Sequence, residues 1–167
     1  MPAMSTVSVG VFVQILKGLH GVLDKAAQHA EAHKIDPAAL LTARLYPDMF
    51  PLTKQVQVCC DFAKGAAGRL AGNDFPTFED NEASFDDLKA RVARTIAYVE
   101  GLDAAAIDGS ETREIALTRR GETTIHMGEA YLLDQAMPNF FFHVTTAYDI
   151  LRHNGVPVGK RDFLGPA

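Results

Sequence analysis

Only two cysteines occur in the 167-residue sequence, and they are neighbours, Cys59 and Cys60. Adjacent positions on a helix project ~100° apart, a poor geometry for a disulfide between them. The two-residue gap of a redox or zinc-binding cysteine pair is missing as well. The expectation is two small buried residues at a helix–helix contact, with a free-thiol role for one of them as the alternative. Basic runs are also scarce: the one short cluster is Arg119-Arg120, beside Gly121, and the net charge is −5. A phosphate-backbone binder needs a basic stripe, so nucleic acid is not an expected partner. No uninterrupted apolar run approaches the ~18 residues of a membrane span. The opening segment lacks a basic n-region, and Val7 to Leu16 is interrupted by Ser8, Gly10 and Gln14. It reads as helix entry and not as a signal peptide. Reduced thiols, no export signal and an acidic balance together predict a cytoplasmic protein with no membrane partner.

Motifs for several chemistries are missing too. The chain has no phosphate-cradling Gly-x-x-x-x-Gly-Lys, no dinucleotide Gly-x-Gly-x-x-Gly and no Gly-x-Ser-x-Gly nucleophile elbow. The Glu-x-x-His pairs of di-iron bundles do not recur on two helices.

What is present is helical periodicity in a chain of ordinary globular composition, 47% hydrophobic and 22% charged. Phe12, Ile15, Leu16, Leu19, Val22, Leu23, Ala26 and Ala30 form one stripe, which predicts a helix from about Ser8 to His33. Asp36-Pro37 starts a short helical piece through Leu41 and Leu45, broken by Tyr46 to Pro51, with Asp48 read as a helix cap. A second long helix carries Gln55, Val56, Cys59, Ala63, Ala66 and Leu70 inward and ends at Gly72-Asn73. The acidic run Glu79 to Glu82 reads as solvated, and Ser84 with Asp87 resembles a capping box ahead of a third helix through Leu102. Two-residue alternation in Arg113–Thr118 and Thr123–Met127 around Gly121 predicts a β-hairpin. The last helix starts near Gly128 or Glu129, is kinked by Pro138 and stops at Asn154-Gly155; the tail from Val156 packs back or frays. The prediction is a mainly α single domain over 1–167, an up-down four-helix bundle with a small β-hairpin before its last helix.

At the last helix a resemblance becomes specific. Gly128-Glu-Ala-Tyr-Leu-Leu and the run from Pro138-Asn-Phe-Phe-Phe-His143 to Asp162-Phe-Leu-Gly165 resemble an uncharacterised domain-of-unknown-function family, number nineteen-ninety-three. Pro47-Asp-Met-Phe-Pro-Leu-Thr-Lys-Gln-Val56 is similar to that family's second signature. The family falls in the DinB/YfiT-like superfamily of metalloenzymes, whose studied relatives include bacillithiol and mycothiol transferases and maleylpyruvate isomerase. The resemblance implies a DinB-like four-helix bundle, a frequent homodimer, and a divalent metal held by a histidine on the second helix and an H-x-x-x-H pair on the last. In this sequence those positions hold Gln55, Asn139 and His143. Zinc and its neighbours prefer anionic or imidazole ligands, so the expectation is a degenerate site. His143 is the ligand if zinc or nickel binds at all.

Burying Gln55, Asn139 and His143 costs free energy unless they bond to one another, to water or to a ligand. Three readings follow: a satisfied core network, the polar floor of a small-molecule pocket between the second and last helices, or a vestigial metal site. A metal-dependent enzyme, either a thiol-dependent transferase or a hydrolase, and a homodimeric structural bundle are the rivals. His29 and His33 share a face at H-x-x-x-H spacing but read as a solvated helix end. His126, beside Thr124, reads as structural. Of Phe140, Phe141 and Phe142 at most two rings can enter one core, so one is left for another element or a second subunit.

Overall fold

The computed structural model describes residues 3–166. A π-helical turn, Thr6–Gly10, runs into α1 (Val11–His33), whose buried face holds Phe12, Leu16, Leu19, Leu23 and Ala26. The helical run Thr6–His33 is long and apolar enough to cross a membrane by composition, with half of its apolar window buried inside the fold. α2 (Pro37–Leu41) begins as expected, the Asp36 side chain accepting the Ala38 N–H, but stops short of Leu45, which is 40% exposed. α3 (Leu52–Ala71) starts from Pro51, so Asp48 lies in the preceding turn and is not its cap. Gly72 closes α3 in the left-handed region at φ +72°, where a side chain would be strained.

α4 (Phe85–Glu100) has the expected capping arrangement. Ser84 Oγ accepts the Asp87 N–H at 3.1 Å, and the Asp87 carboxylate reaches back to the Ala83 N–H at 3.1 Å. A short α5 (Ala104–Ile107), capped by Asp103, leads to the hairpin. β1 (Glu114–Arg119) and β2 (Glu122–Met127) pair antiparallel with Ile115 opposite His126 and Leu117 opposite Thr124. Both turn residues, Arg120 and Gly121, have positive φ, the twist a two-residue hairpin needs. β1 turns Ile115 and Leu117 into the core, whereas β2 leaves Ile125 outside.

The kink expected at Pro138 is expressed as a change of helix type. A turn of α6 (Gly128–Ala130) passes into a π-helical stretch, Tyr131–Ala136, before α7 (Met137–His153). The Met137 N–H bonds five residues back to Leu132, and Pro138, which has no N–H to give, falls in the first turn of α7. The tail packs back: Val156 and Val158 are buried, and Lys160–Leu164 forms α8 against α1.

Among the long helices, α3 packs on α7 and α4, and α1 packs on α4 and α7. Among the described residues the protein is mainly helical, with one two-stranded antiparallel sheet before the last long helix. The small residues of α3, Ala63, Ala66 and Ala67, are fully buried and let its neighbours come close. Cys59 and Cys60 are both buried and unpaired.

Candidate functional site

Gln55 and His143 meet where α3 packs on α7. The Nδ1 of His143 lies 2.7 Å from Oε1 of Gln55. Gln55 Nε2 donates to the Phe50 carbonyl at 3.1 Å, which orients the amide with its oxygen toward the ring. An amide oxygen only accepts, so Nδ1 carries the hydrogen and Nε2 keeps its lone pair. Gln55 is 1% exposed and His143 9%. Aromatic rings enclose the imidazole. Phe62 and Phe50 stack on it at 5.9 and 6.5 Å between centroids, and Phe142 meets it edge-on at 5.1 Å. Burial holds its pKa below the ordinary 6.5, so the ring is neutral at pH 7.

Asn139, one turn earlier on α7, has a different partner. Its Nδ2 donates to the Gln135 carbonyl, four residues back in the π-helical stretch, at 2.6 Å, and the residue is half-buried. The structure thus joins two of the three expected residues directly and turns the third back on the backbone. Among the described residues no group of three or more His, Cys, Asp or Glu is arranged to hold a metal ion. The three positions offer one imidazole and two neutral carboxamides that are already engaged, a set that does not fit zinc or nickel.

A cleft of about 360 Å³ opens further along α3, between that helix, the segment after it, β1 and the π-helical stretch. Phe62 belongs to both places: one neighbour of its ring is His143, and it also lines the cleft. The wall also takes in Asp61, Lys64 and Arg69 on α3, Phe75 to Phe78 after it, Leu117, Thr118 and Arg119 on β1, and Tyr131.

The segment that closes this cleft is pinned by a charge cluster the sequence reading missed. Arg91 on α4 is fully buried. Its Nη2 lies 3.0 Å from Asp61, and its Nη1 lies 3.0 Å from both Asp80 and Glu82. The acidic run is therefore not simply solvated: the Glu82 side chain is 2% exposed. The signal was available, because Arg91 sits inside the buried stripe formed by Leu88, Val92 and Thr95.

The other singled-out residues fall where their residue types suggest. His29 and His33 lie at the exposed end of α1 with ring centroids 4.2 Å apart, and His33 Nδ1 contacts the His29 carbonyl. His126 Nε2 pairs with Thr124 Oγ1 at 3.0 Å on the hairpin. Phe140 is fully buried, Phe141 partly so, and Phe142 is 55% exposed, so one ring of the three is left outside the core.

The chain matches the model of a domain of unknown function, DUF1993, over residues 4–164. It is also similar to the crystal structure of a DinB family member protein from Shewanella denitrificans, at 39% identity and a TM-score of 0.91. That match covers 98% of this chain and 92% of the other. No curated protein matches it. With its helical fold, its hairpin before the last long helix and these two likenesses, the chain belongs to the DUF1993 family and is a DinB-like protein.

Proposed function

We propose that this protein binds a small organic molecule at the seam between α3 and the segment leading into α7, and that its metal position is degenerate. In this reading the chain is one up-down four-helix bundle domain. The observation that carries it is the buried hydrogen bond between Gln55 and His143. Where the metalloenzymes it resembles place imidazoles, position 55 spends its carboxamide oxygen on the one remaining histidine. The carboxamide at 139 is turned back onto the backbone of the π-helical stretch. The neighbouring cleft, sharing Phe62 with this pair, supplies the volume and the aromatic wall a ligand needs.

Two further features support the wider reading. Tyr46, Phe50 and Phe142 are about half exposed or more, apolar surface of the kind a homodimer covers, and Phe50 and Phe142 both flank His143. Unpaired, buried thiols suit a reducing compartment such as the cytoplasm.

The test is elemental analysis of the purified protein after equilibration with zinc or nickel. The expected result is well below one ion per chain, unchanged in His143→Ala. One ion per chain that is lost in His143→Ala would overturn the reading in favour of a metal-dependent transferase or hydrolase with His143 as ligand.

A further inference from the structure

We infer that the cleft takes an aromatic small molecule carrying an oxyanion head, with Arg69 and Arg119 as the residues that select the charge; this rests on the ligand-binding reading above. The cleft is electrically lopsided. At one end Lys64 is neutralised: its Nζ lies 3.1 Å from Asp61 and 4.1 Å from the centre of the Phe78 ring. Asp61 is itself held by Arg91. At the other end one guanidinium meets a phenol and a second lines the same cleft. Arg69 Nη1 is 3.4 Å from the Tyr131 hydroxyl, and Arg119 lines the same wall. Burial pushes the Tyr131 phenol up, while the charges of Arg69 and Arg119 pull the other way. Among the described residues neither arginine has a carboxylate within ion-pair distance. The side chain facing Arg119 across the hairpin is Glu122, and it makes no such pair.

A half-buried guanidinium with no counter-ion is costly, and a planar oxyanion is the partner its fork fits best. Arg69 is held in place on a second side, its guanidinium carbon sitting over the Phe75 ring at 4.6 Å from the centroid. The space between the two ends is walled by Phe62, Phe75, Phe78 and Leu117, which favours a flat apolar body over a sugar or a polyamine. At about 360 Å³ the cleft holds a molecule of one or two rings. A carboxylate and a phosphate monoester present the same head to this site, and the probes separate them.

The experiment is calorimetric titration of the full chain with 2-naphthoate, phenyl phosphate and the neutral 2-naphthamide. Saturable binding of naphthoate or phenyl phosphate is expected, tighter than naphthamide by tenfold or more and weakened by added salt. Arg119→Ala, an exposed strand-end change, should lower that affinity at least tenfold with no change in melting temperature, and Arg69→Ala should do the same to binding. If naphthamide binds as tightly as the acids, the charge selection is wrong while the ligand cleft survives. No saturation by any probe at millimolar concentration, or acid binding indifferent to both arginine variants, would overturn the inference. Failure of the ligand-binding reading would appear separately, as a stoichiometric ion bound through His143.

Discussion

Nδ1 of His143 donates to Oε1 of Gln55 across 2.7 Å of protein interior, from one helix to another 88 residues away in sequence. Replacing Gln55 with Leu removes the acceptor and leaves a buried N–H without a partner. Such a loss costs ~1–3 kcal/mol. Gln55→Leu should therefore lower the unfolding free energy read from urea denaturation by an amount in that range. Gln55→Glu should do something different: a carboxylate 3 Å-class neighbour favours the imidazolium, so the His143 pKa should move from below its ordinary value to above it. Nitrogen-resolved NMR titration of the ring in the two proteins checks the direction.

The same ring links stability to pH. Facing it are the Gln55 amide and the rings of Phe50, Phe62 and Phe142, none of them ionic at neutral pH. In the unfolded chain the imidazole takes its proton near pH 6.5, and in the fold burial delays uptake to lower pH. Just below 6.5 the unfolded state then binds more protons, so this group's share of stability is whole above that pH and falls as the pH drops through the folded value. Denaturation midpoints measured from pH 7.5 to 5 should fall on acidification, and more shallowly in His143→Phe. An equal slope in that variant would mean other groups carry the dependence.

Arg91 holds three carboxylates that belong to α3 and to the segment walling the cleft. Removing one partner of a buried ion cluster costs ~3–5 kcal/mol, because the remaining charge is stranded. Arg91→Met should show a loss of that order in chemical denaturation, and it should also raise hydrogen exchange in the segment around Asp80 and Glu82. Arg91→Lys keeps the charge but cannot reach Asp61, Asp80 and Glu82 at once, so an intermediate loss is expected.

What could be read in advance was what local chemistry decides. The Asp36 and Ser84 caps, the Arg120-Gly121 turn and the inward stripes of α1 and α3 came out where residue type and spacing placed them. Gln55 and His143 were visible for the same reason, being polar residues on buried faces. Asn139 was not separable from them by spacing. Whether its amide crosses to α3 or bonds back four residues is decided by helix rotation, and an asparagine readily takes the local carbonyl. The Arg91 cluster and the docking of α8 depend on contacts between segments far apart in sequence, which periodicity does not encode.

The docking of α8 rests on the close approach of two glycines. A Cβ at Gly18 in α1 would strike the Phe163 carbonyl and stand 3.0 Å from Asp162 O and Gly165 N. A Cβ at Gly165, whose φ is +76°, would meet Gln14 O at 2.8 Å and Gly18 N at 2.9 Å. Around this contact Gln14 Nε2 donates to the Leu164 and Pro166 carbonyls, and Lys25 pairs with Asp162 at 2.7 Å. Gly18→Ala therefore cannot be absorbed by rotating a side chain, since the obstacles are backbone. Overpacking of this kind costs ~1–3 kcal/mol. The expected outcome is a lowered melting temperature with hydrogen-exchange protection lost over Lys160–Leu164 and kept in α3 and α7. Gly21→Ala, three residues on in the same helix, meets nothing within 4 Å. It should instead be neutral or stabilising by up to ~1 kcal/mol, because alanine is the better helix former. Equal destabilisation by the two changes would show that helix propensity, and not the contact with α8, governs this face of α1.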